Sequence, residues 1–200
     1  MEILIKSGVK IRPNTTIGAD LIIDDLFRDG FRAIFMGTGV WRPRRLNIKG
    51  ESLGHVHFAI NYLHNPDAYC LGKRVAIIGA GNVAMDVART AFRNGCESVT
   101  ILCRMGEASV TARDSEVKYT KMDGARFLYY KIPVEITENG ILLQDAEAFE
   151  RDDGKKAVRP IVDTEELFSC DFVIIAISQG PKATVLLPVG TLFQRLCLSG

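Results

Sequence analysis

The sequence has no C-x-x-C pair, no long apolar run, one tryptophan and almost no net charge. Each absence removes a class of protein. The five cysteines (Cys70, Cys96, Cys103, Cys170 and Cys197) are scattered, so neither an iron–sulfur cluster nor a structural zinc site is expected. An odd count without secretory features points to reduced thiols and a cytoplasmic location. Met1-Glu2-Ile3-Leu4-Ile5-Lys6 is not a signal peptide, and no stretch approaches the roughly 18 apolar residues of a membrane span. With 25 basic against 24 acidic residues the formal net charge is +1, so no overall field favours nucleic acid. His55, His57 and His64 lie close in sequence but lack metal-ligand spacing, so packing or surface roles are expected and no metal. What remains is a 200-residue chain, 47% hydrophobic and 24% charged. That composition is globular and suits one domain, or one domain plus part of another.

The strongest pattern starts at Arg74-Val75-Ala76-Ile77-Ile78, a strand-like run. It leads directly into Gly79-Ala80-Gly81-Asn82-Val83-Ala84, and helix-patterned residues 85–92 follow. This is the G-x-G-x-x-A form of the dinucleotide fingerprint in its required setting, after a strand and before a helix. Gly79 allows the tight turn, Gly81 leaves room for a pyrophosphate, and Ala84 lets the helix pack close on the strand. The first-turn N–H groups lack intrahelical partners and are available to an anion. The competing reading is an ordinary strand–helix turn. Asn82 is expected to cap the helix, to donate to the pyrophosphate, or both. Asp86 is expected to be structural, because a carboxylate there would repel the pyrophosphate.

The rest of the chain fits an α/β unit. Helices are expected over residues 1–7, 20–27 and 56–64, and strands over 9–12 and 31–36. Asn94-Gly95 stops the fingerprint helix, and residues 98–103 form the next strand, so a parallel crossover follows. A helix over residues 114–122 precedes a third strand at 126–130. Val134-Glu135-Ile136, Asn139-Gly140 and Ile141-Leu142-Leu143 then read as a hairpin. Residues 171–177 return as a buried parallel strand. The expected fold is α/β: a Rossmann-like parallel sheet with helices on both faces and an antiparallel β-meander insertion.

In fingerprint units an acid at the end of the second strand holds the ribose 2′-OH of NAD, whereas arginine accommodates the 2′-phosphate of NADP. Here Arg104 follows Cys103 and no acid does, so NADPH is favoured over NADH. The alternative for Arg104 is an exposed strand-end arginine without a ligand. Glu107, in the next loop, is expected to be solvated. In a doubly wound sheet, Ile177 and the Ser178-Gln179-Gly180 loop would face the nicotinamide end, because ligands bind at the carboxyl ends of strands.

Four segments, in order, resemble the glutamate synthase small-subunit-like family of NADPH-dependent, FAD-containing oxidoreductases. That group includes the NADPH–flavin half of dihydropyrimidine dehydrogenase and ferredoxin-linked transhydrogenase subunits. The segments are residues 33–39, Leu46-Asn47-Ile48-Lys49-Gly50-Glu51, residues 79–91 and residues 173–181. Met85-Asp86-Val87-Ala88-Arg89, directly after the fingerprint, is the most specific. The similarity covers about residues 1 to 183 and leaves 184–200 unmatched.

The resemblance implies a nested arrangement, with residues 1–71 a partial FAD-domain segment and 72–181 the NAD(P)H-binding domain. Residues 182–200 would be a tail or the start of the returning FAD domain. It implies that Gly37, Thr38 and Gly39 lie on the flavin side in the full-length protein and that Arg113 matches a basic position near the nucleotide. Met105 stands where the family often has a second arginine, and Ser178 where it usually has glycine. The first FAD-binding glycine unit, the closing Gly-Asp segment and the cysteine-rich module are absent from the 200 residues. The resemblance therefore implies a fragment that is inactive alone. FAD would be held only in the full-length protein, and a large catalytic subunit or an iron–sulfur acceptor would be the partner. No side chain is assigned as acid, base or nucleophile, since hydride transfer from nicotinamide to flavin needs none. A non-catalytic nucleotide-binding or interaction fragment is the rival from another class.

Overall fold

The computed structural model describes residues 2–37, 42–154 and 156–180. It separates into two compact units, Met1–Val40 with Pro181–Gly200, and Trp41–Gly180.

In the first unit, α1 (Glu2–Lys6) ends before Gly8, whose φ of +90° suits a residue without a Cβ. Helix α2 (Ile23–Arg28) begins where the Asp25 carboxylate accepts the Ile22 N–H at 3.1 Å. The strands expected at residues 9–12 and 31–36 do not form. A strand needs a ladder partner for its N–H and C=O groups, and no described segment of this unit provides one. No described side chain here is buried, and Phe35 is 96% exposed. The described residues of this unit thus build no core of their own.

The second unit holds the core. It comprises β1 (Arg42–Pro43), β2 (Val56–Phe58), α3 (Ala59–His64), β3 (Arg74–Ile78), α4 (Asn82–Arg93), β4 (Ser98–Cys103), α5 (Asp114–Met122), β5 (Arg126–Tyr129), β6 (Lys131–Thr137), β7 (Gly140–Glu150), β8 (Lys156–Pro160), β9 (Glu166–Ser169), β10 (Phe172–Ile175) and β11 (Gln179–Gly180). Five strands form a parallel sheet in the order β2-β10-β3-β4-β5. The helix expected over 56–64 is split. Val56, His57 and Phe58 pair with Val173, Ile174 and Ile175, because the edge of β10 offers unpaired backbone groups that outweigh local helix propensity. Only then does α3 begin.

Alternation along the parallel strands creates two buried faces. Val75, Ile77, Val99, Ile101, Cys103 and Ile174 meet α3 and α4 on one side. Helix α4 buries Ala84, Met85, Val87, Ala88 and Ala91 completely, and its alanines let it sit close to the strands. Ala76, Ile78, Leu102, Val173 and Ile175 pack on the other side against Ile136, Ile141 and Leu143. The α/β fold and its antiparallel insertion are as expected; the layer order is not. The second face is covered by the sheet of β6, β7 and β9 rather than by helices. The chain from β5 to β10 is that meander, so it supplies the cover a crossover helix would give.

Two contacts tie distant segments of this unit together. Asp171 accepts the Arg74 N–H at 2.8 Å and its guanidinium at 2.6 and 3.1 Å, tying β10 to the start of β3. The Leu46–Glu51 motif proves to be a turn docked on β6. Glu51 accepts the N–H groups of Leu46 and Asn47 at 2.8 and 3.0 Å, and Ile136 N–H donates to the Lys49 carbonyl at 2.9 Å. Gly50, at φ +83°, lies so close to the Ile136 backbone that a Cβ would fall 1.8 Å from its carbonyl oxygen.

Candidate functional site

The fingerprint turn sits at the carboxyl end of β3, between the ends of β4 and β10. Gly79 N–H donates to the Leu102 carbonyl at 3.1 Å, and Ala176 N–H donates to the Ile78 carbonyl at 2.8 Å. Gly79 has φ +121°, and a Cβ there would lie 2.4 Å from the Ala176 carbonyl oxygen. The fold itself therefore demands glycine at 79. Gly81 differs. Its backbone is extended, at φ −92° and ψ 177°, and the nearest atom to a Cβ would be Thr111 Oγ1 at 3.6 Å. No protein atom crowds the space over Gly81, so the fold would accept alanine there.

Gly81 is the N-cap of α4, with no side chain capping the helix. The N–H groups of Asn82 and Val83 have no intrahelical acceptor, while Ala84 and Met85 N–H reach the Gly81 carbonyl at 2.9 and 3.3 Å. The cap expected at Asn82 is thus displaced. Asn82 already lies inside the helix, and its Oδ1 accepts the Arg113 N–H at 2.9 Å. Together with a 3.3 Å bond from Ala112 N–H to the Ala80 carbonyl, this fastens residues 111–113 across the turn. Arg113 is thereby brought beside the fingerprint, exposed, at the N-cap of α5.

Arg104 is exposed immediately beyond the last residue of β4, with no ion pair or side-chain hydrogen bond among the described residues. Its loop is shaped by two contacts. Gly106 faces the Tyr130 ring so closely that a Cβ would lie 2.3 Å from the hydroxyl oxygen. Glu107 is exposed, as expected, and it also pairs with Lys121 of α5, whose hydrogen bond holds its carboxyl below the usual range. Beside the loop is a cavity of about 270 Å³ lined by residues 105–109 with Tyr130, Phe149, Glu150 and Lys156. Nothing in the sequence pattern signalled it, because its walls come from segments distant in the chain. Asp86 lies on the exposed side of α4, its carboxyl raised by desolvation and then by Glu116.

At the end of β10, Ile177 is half-buried and Ser178 takes φ +141°, a region that favours glycine. Gln179 and Gly180 are not a bare loop. They form β11, antiparallel to Arg42 and Pro43, and Arg44 N–H donates to the Ser178 carbonyl at 3.1 Å. The structure thus gathers Gly79 to Ala84, Arg113 and the end of β10 around one turn, with Arg104 at the end of the adjacent strand. Gly37 is exposed in the first unit; Thr38 and Gly39 lie outside the described residues. Among the described residues, no cluster of three or more His, Cys, Asp or Glu is arranged to hold a metal. No described helix is long and apolar enough to cross a membrane.

A strand, glycine turn and helix at the carboxyl end of a parallel sheet are what dinucleotide-binding oxidoreductases share. The family model of the pyridine nucleotide-disulphide oxidoreductases matches residues 1–193. The chain belongs to this family. The match runs beyond the limit near residue 183 set by the motifs, into a segment they left unassigned. Among curated relatives, the NADPH-Fe(3+) oxidoreductase subunit beta of Geobacter sulfurreducens is 32% identical over 93% of this chain and 30% of its own length. The glutamate synthase [NADPH] small chain of Escherichia coli is 28% identical over 90% of this chain and 42% of its own, in line with the resemblance read from the motifs. The chain spans less than half the length of these relatives. Among solved structures, FprA from Mycobacterium tuberculosis in complex with NADPH superposes with a TM-score of 0.60 at 18% identity, covering 71% of this chain and 49% of that one. Within the pyridine nucleotide-disulphide oxidoreductases, that likeness supports the fold.

Proposed function

We propose that the Trp41–Gly180 unit binds NADPH and orients it within a flavin-dependent oxidoreductase of the glutamate synthase small-subunit type. The observation that carries this reading is the contrast between Gly79 and Gly81. Gly79 is required by the carbonyl of Ala176, whereas Gly81 faces open space at the start of α4. A pyrophosphate fits that space, where the unpartnered amides of Asn82 and Val83 and the helix dipole favour an anion.

The remaining residues then take parts set by their positions. Arg104 meets the adenosine 2′-phosphate with paired N–H donors, and Arg113 adds a second positive charge beside the turn. The 270 Å³ cavity beyond Arg104, walled by Tyr130 and Phe149, offers apolar surface to the adenosine end. Ile177, Gln179 and Gly180, at the end of β10, border the nicotinamide end. When bound, the dinucleotide supplies a hydride to a flavin acceptor, and the chain's own residues bind, orient and shield rather than exchange protons. In this reading the nucleotide-binding portion begins near residue 41 rather than at 72, because β2 and α3 belong to its sheet and core, and residues 1–40 with Gly37, Thr38 and Gly39 belong to the flavin side. A partner subunit, in keeping with the subunit and small-chain names of the relatives, or a cluster-bearing acceptor would take the electrons onward.

Calorimetric titration of the purified chain with NADPH and NADH tests the reading. Tighter binding of NADPH supports it. Equal affinities, or no binding of either, would overturn it.

A further inference from the structure

We propose that the Thr111 hydroxyl is a ligand for the pyrophosphate of the bound dinucleotide. The inference rests on the reading that the fingerprint turn binds NADPH. It adds a contact that the fingerprint itself does not contain, from a loop some thirty residues further along the chain.

Thr111 Oγ1 stands 3.6 Å from the point where a Cβ of Gly81 would be. It is therefore the first protein atom met across the space that the missing side chain leaves open. A phosphate oxygen occupying that space lies within reach of a hydroxyl, since an O–H···O bond spans about 2.5–3.0 Å. The hydroxyl is also held in place. Ala112, next to it, is buried and donates its N–H to the Ala80 carbonyl at 3.3 Å, while Arg113 N–H bonds to Asn82 Oδ1 at 2.9 Å. Both ties run to the fingerprint turn, so Thr111 is fixed relative to Gly81 rather than merely near it. A β-branched side chain has few χ1 rotamers, which limits the ordering needed on binding.

The usual structural duties of such a threonine are not being performed. The N-cap of α5 is Arg113, with no side-chain cap. Thr111 is exposed, and no hydrogen bond within the described residues engages its hydroxyl. Its O–H is free to donate to an anion, and a hydrogen bond to a charged oxygen is the stronger kind.

The test compares the purified chain with Thr111→Val, which keeps the shape and removes the hydroxyl, and with Thr111→Ser, which restores it. NADPH affinity is measured by calorimetry, the fold by urea unfolding, and the environment of the bound phosphates by phosphorus NMR. The valine variant is expected to bind NADPH about tenfold more weakly with an unchanged unfolding midpoint. Its bound pyrophosphate resonances should shift from those of the parent complex while the 2′-phosphate resonance stays in place. The serine variant should recover parent affinity to within about threefold. Parent-like affinity and unshifted pyrophosphate resonances in Thr111→Val overturn the inference and leave NADPH binding standing. If the parent chain itself perturbs none of the NADPH phosphorus resonances, the inference falls together with the reading beneath it.

Discussion

Replacing each fingerprint glycine by alanine separates what the fold needs from what a ligand needs. At position 79 a Cβ would lie 2.4 Å from the carbonyl oxygen and 2.8 Å from the carbonyl carbon of Ala176, at φ +121°. Those atoms belong to the backbone following β10 and cannot swing aside as a side chain would. Backbone strain of about 1–3 kcal/mol and overpacking of a similar size, about 1–3 kcal/mol, give a loss of about 2–6 kcal/mol for Gly79→Ala. At position 81 the backbone is extended, and the nearest atom would be 3.6 Å away, ordinary van der Waals contact. Alanine there should be neutral, or stabilising by about 0.4–1 kcal/mol through the unfolded chain. The same methyl group occupies the space assigned to the pyrophosphate, so NADPH affinity should fall about 10- to 100-fold. Urea unfolding and calorimetric NADPH titration of both variants read out the two effects. A Gly81→Ala protein that binds NADPH like the parent would refute the reasoning. So would one that unfolds as readily as Gly79→Ala, because Gly81 would then be a requirement of the fold.

Two further outcomes follow from other parts of the site and sheet. Ser178 holds φ +141°, so Ser178→Gly should raise stability by about 1 kcal/mol, seen as a higher urea midpoint; a lower midpoint would show that the serine side chain is needed there. Asp171 is held below the usual carboxylate range, chiefly by its hydrogen bond to Arg74. A depressed folded-state pKa contributes stability above the unfolded value of about 4, and that contribution is lost as pH falls toward the folded one. Stability measured from pH 7 downward should therefore drop through that window, and Asp171→Asn should flatten part of the drop. An unchanged acid profile in the variant would show that other carboxylates carry it.

Much of this architecture was legible because it is local and periodic. The β3–α4–β4 unit is written in consecutive residues: a β-branched run, a glycine turn, then Ala84, Val87, Ala88 and Ala91 on one helical face. The hairpin of β6 and β7 was equally plain, although its turn falls at Glu138-Asn139, one residue before the expected Asn139-Gly140, with Gly140 already paired in β7. What the sequence withheld depends on distant partners. Residues 56–58 follow a helical pattern until the edge of β10 claims them, and residues 31–36 read as a strand although no described neighbour pairs with them. The cover on the second sheet face is fixed by where Ile136, Ile141 and Leu143 land, which no local window encodes. At the site, Asn82 has the composition of a helix cap but stands one residue too late, with Gly81 already in that place. Its side chain turns instead to Arg113, and that bond carries Thr111 to the turn. Glycine spacing located the candidate turn; Thr111, the nearest atom to the Gly81 Cβ position, lies in a loop without periodicity.

The measurement that bears most directly on nucleotide binding is a residue-resolved amide NMR titration of the chain with NADPH. Binding at the fingerprint predicts saturable shifts concentrated at Gly81, Asn82 and Val83, extending to Arg104, to residues 111–113 and to Gln179 and Gly180. It also predicts that Arg104→Ala removes most of the advantage of NADPH over NADH, about 1.5–3 kcal/mol for one charge-assisted contact. Shifts clustered elsewhere, with the amides of the fingerprint turn silent at saturation, would contradict it.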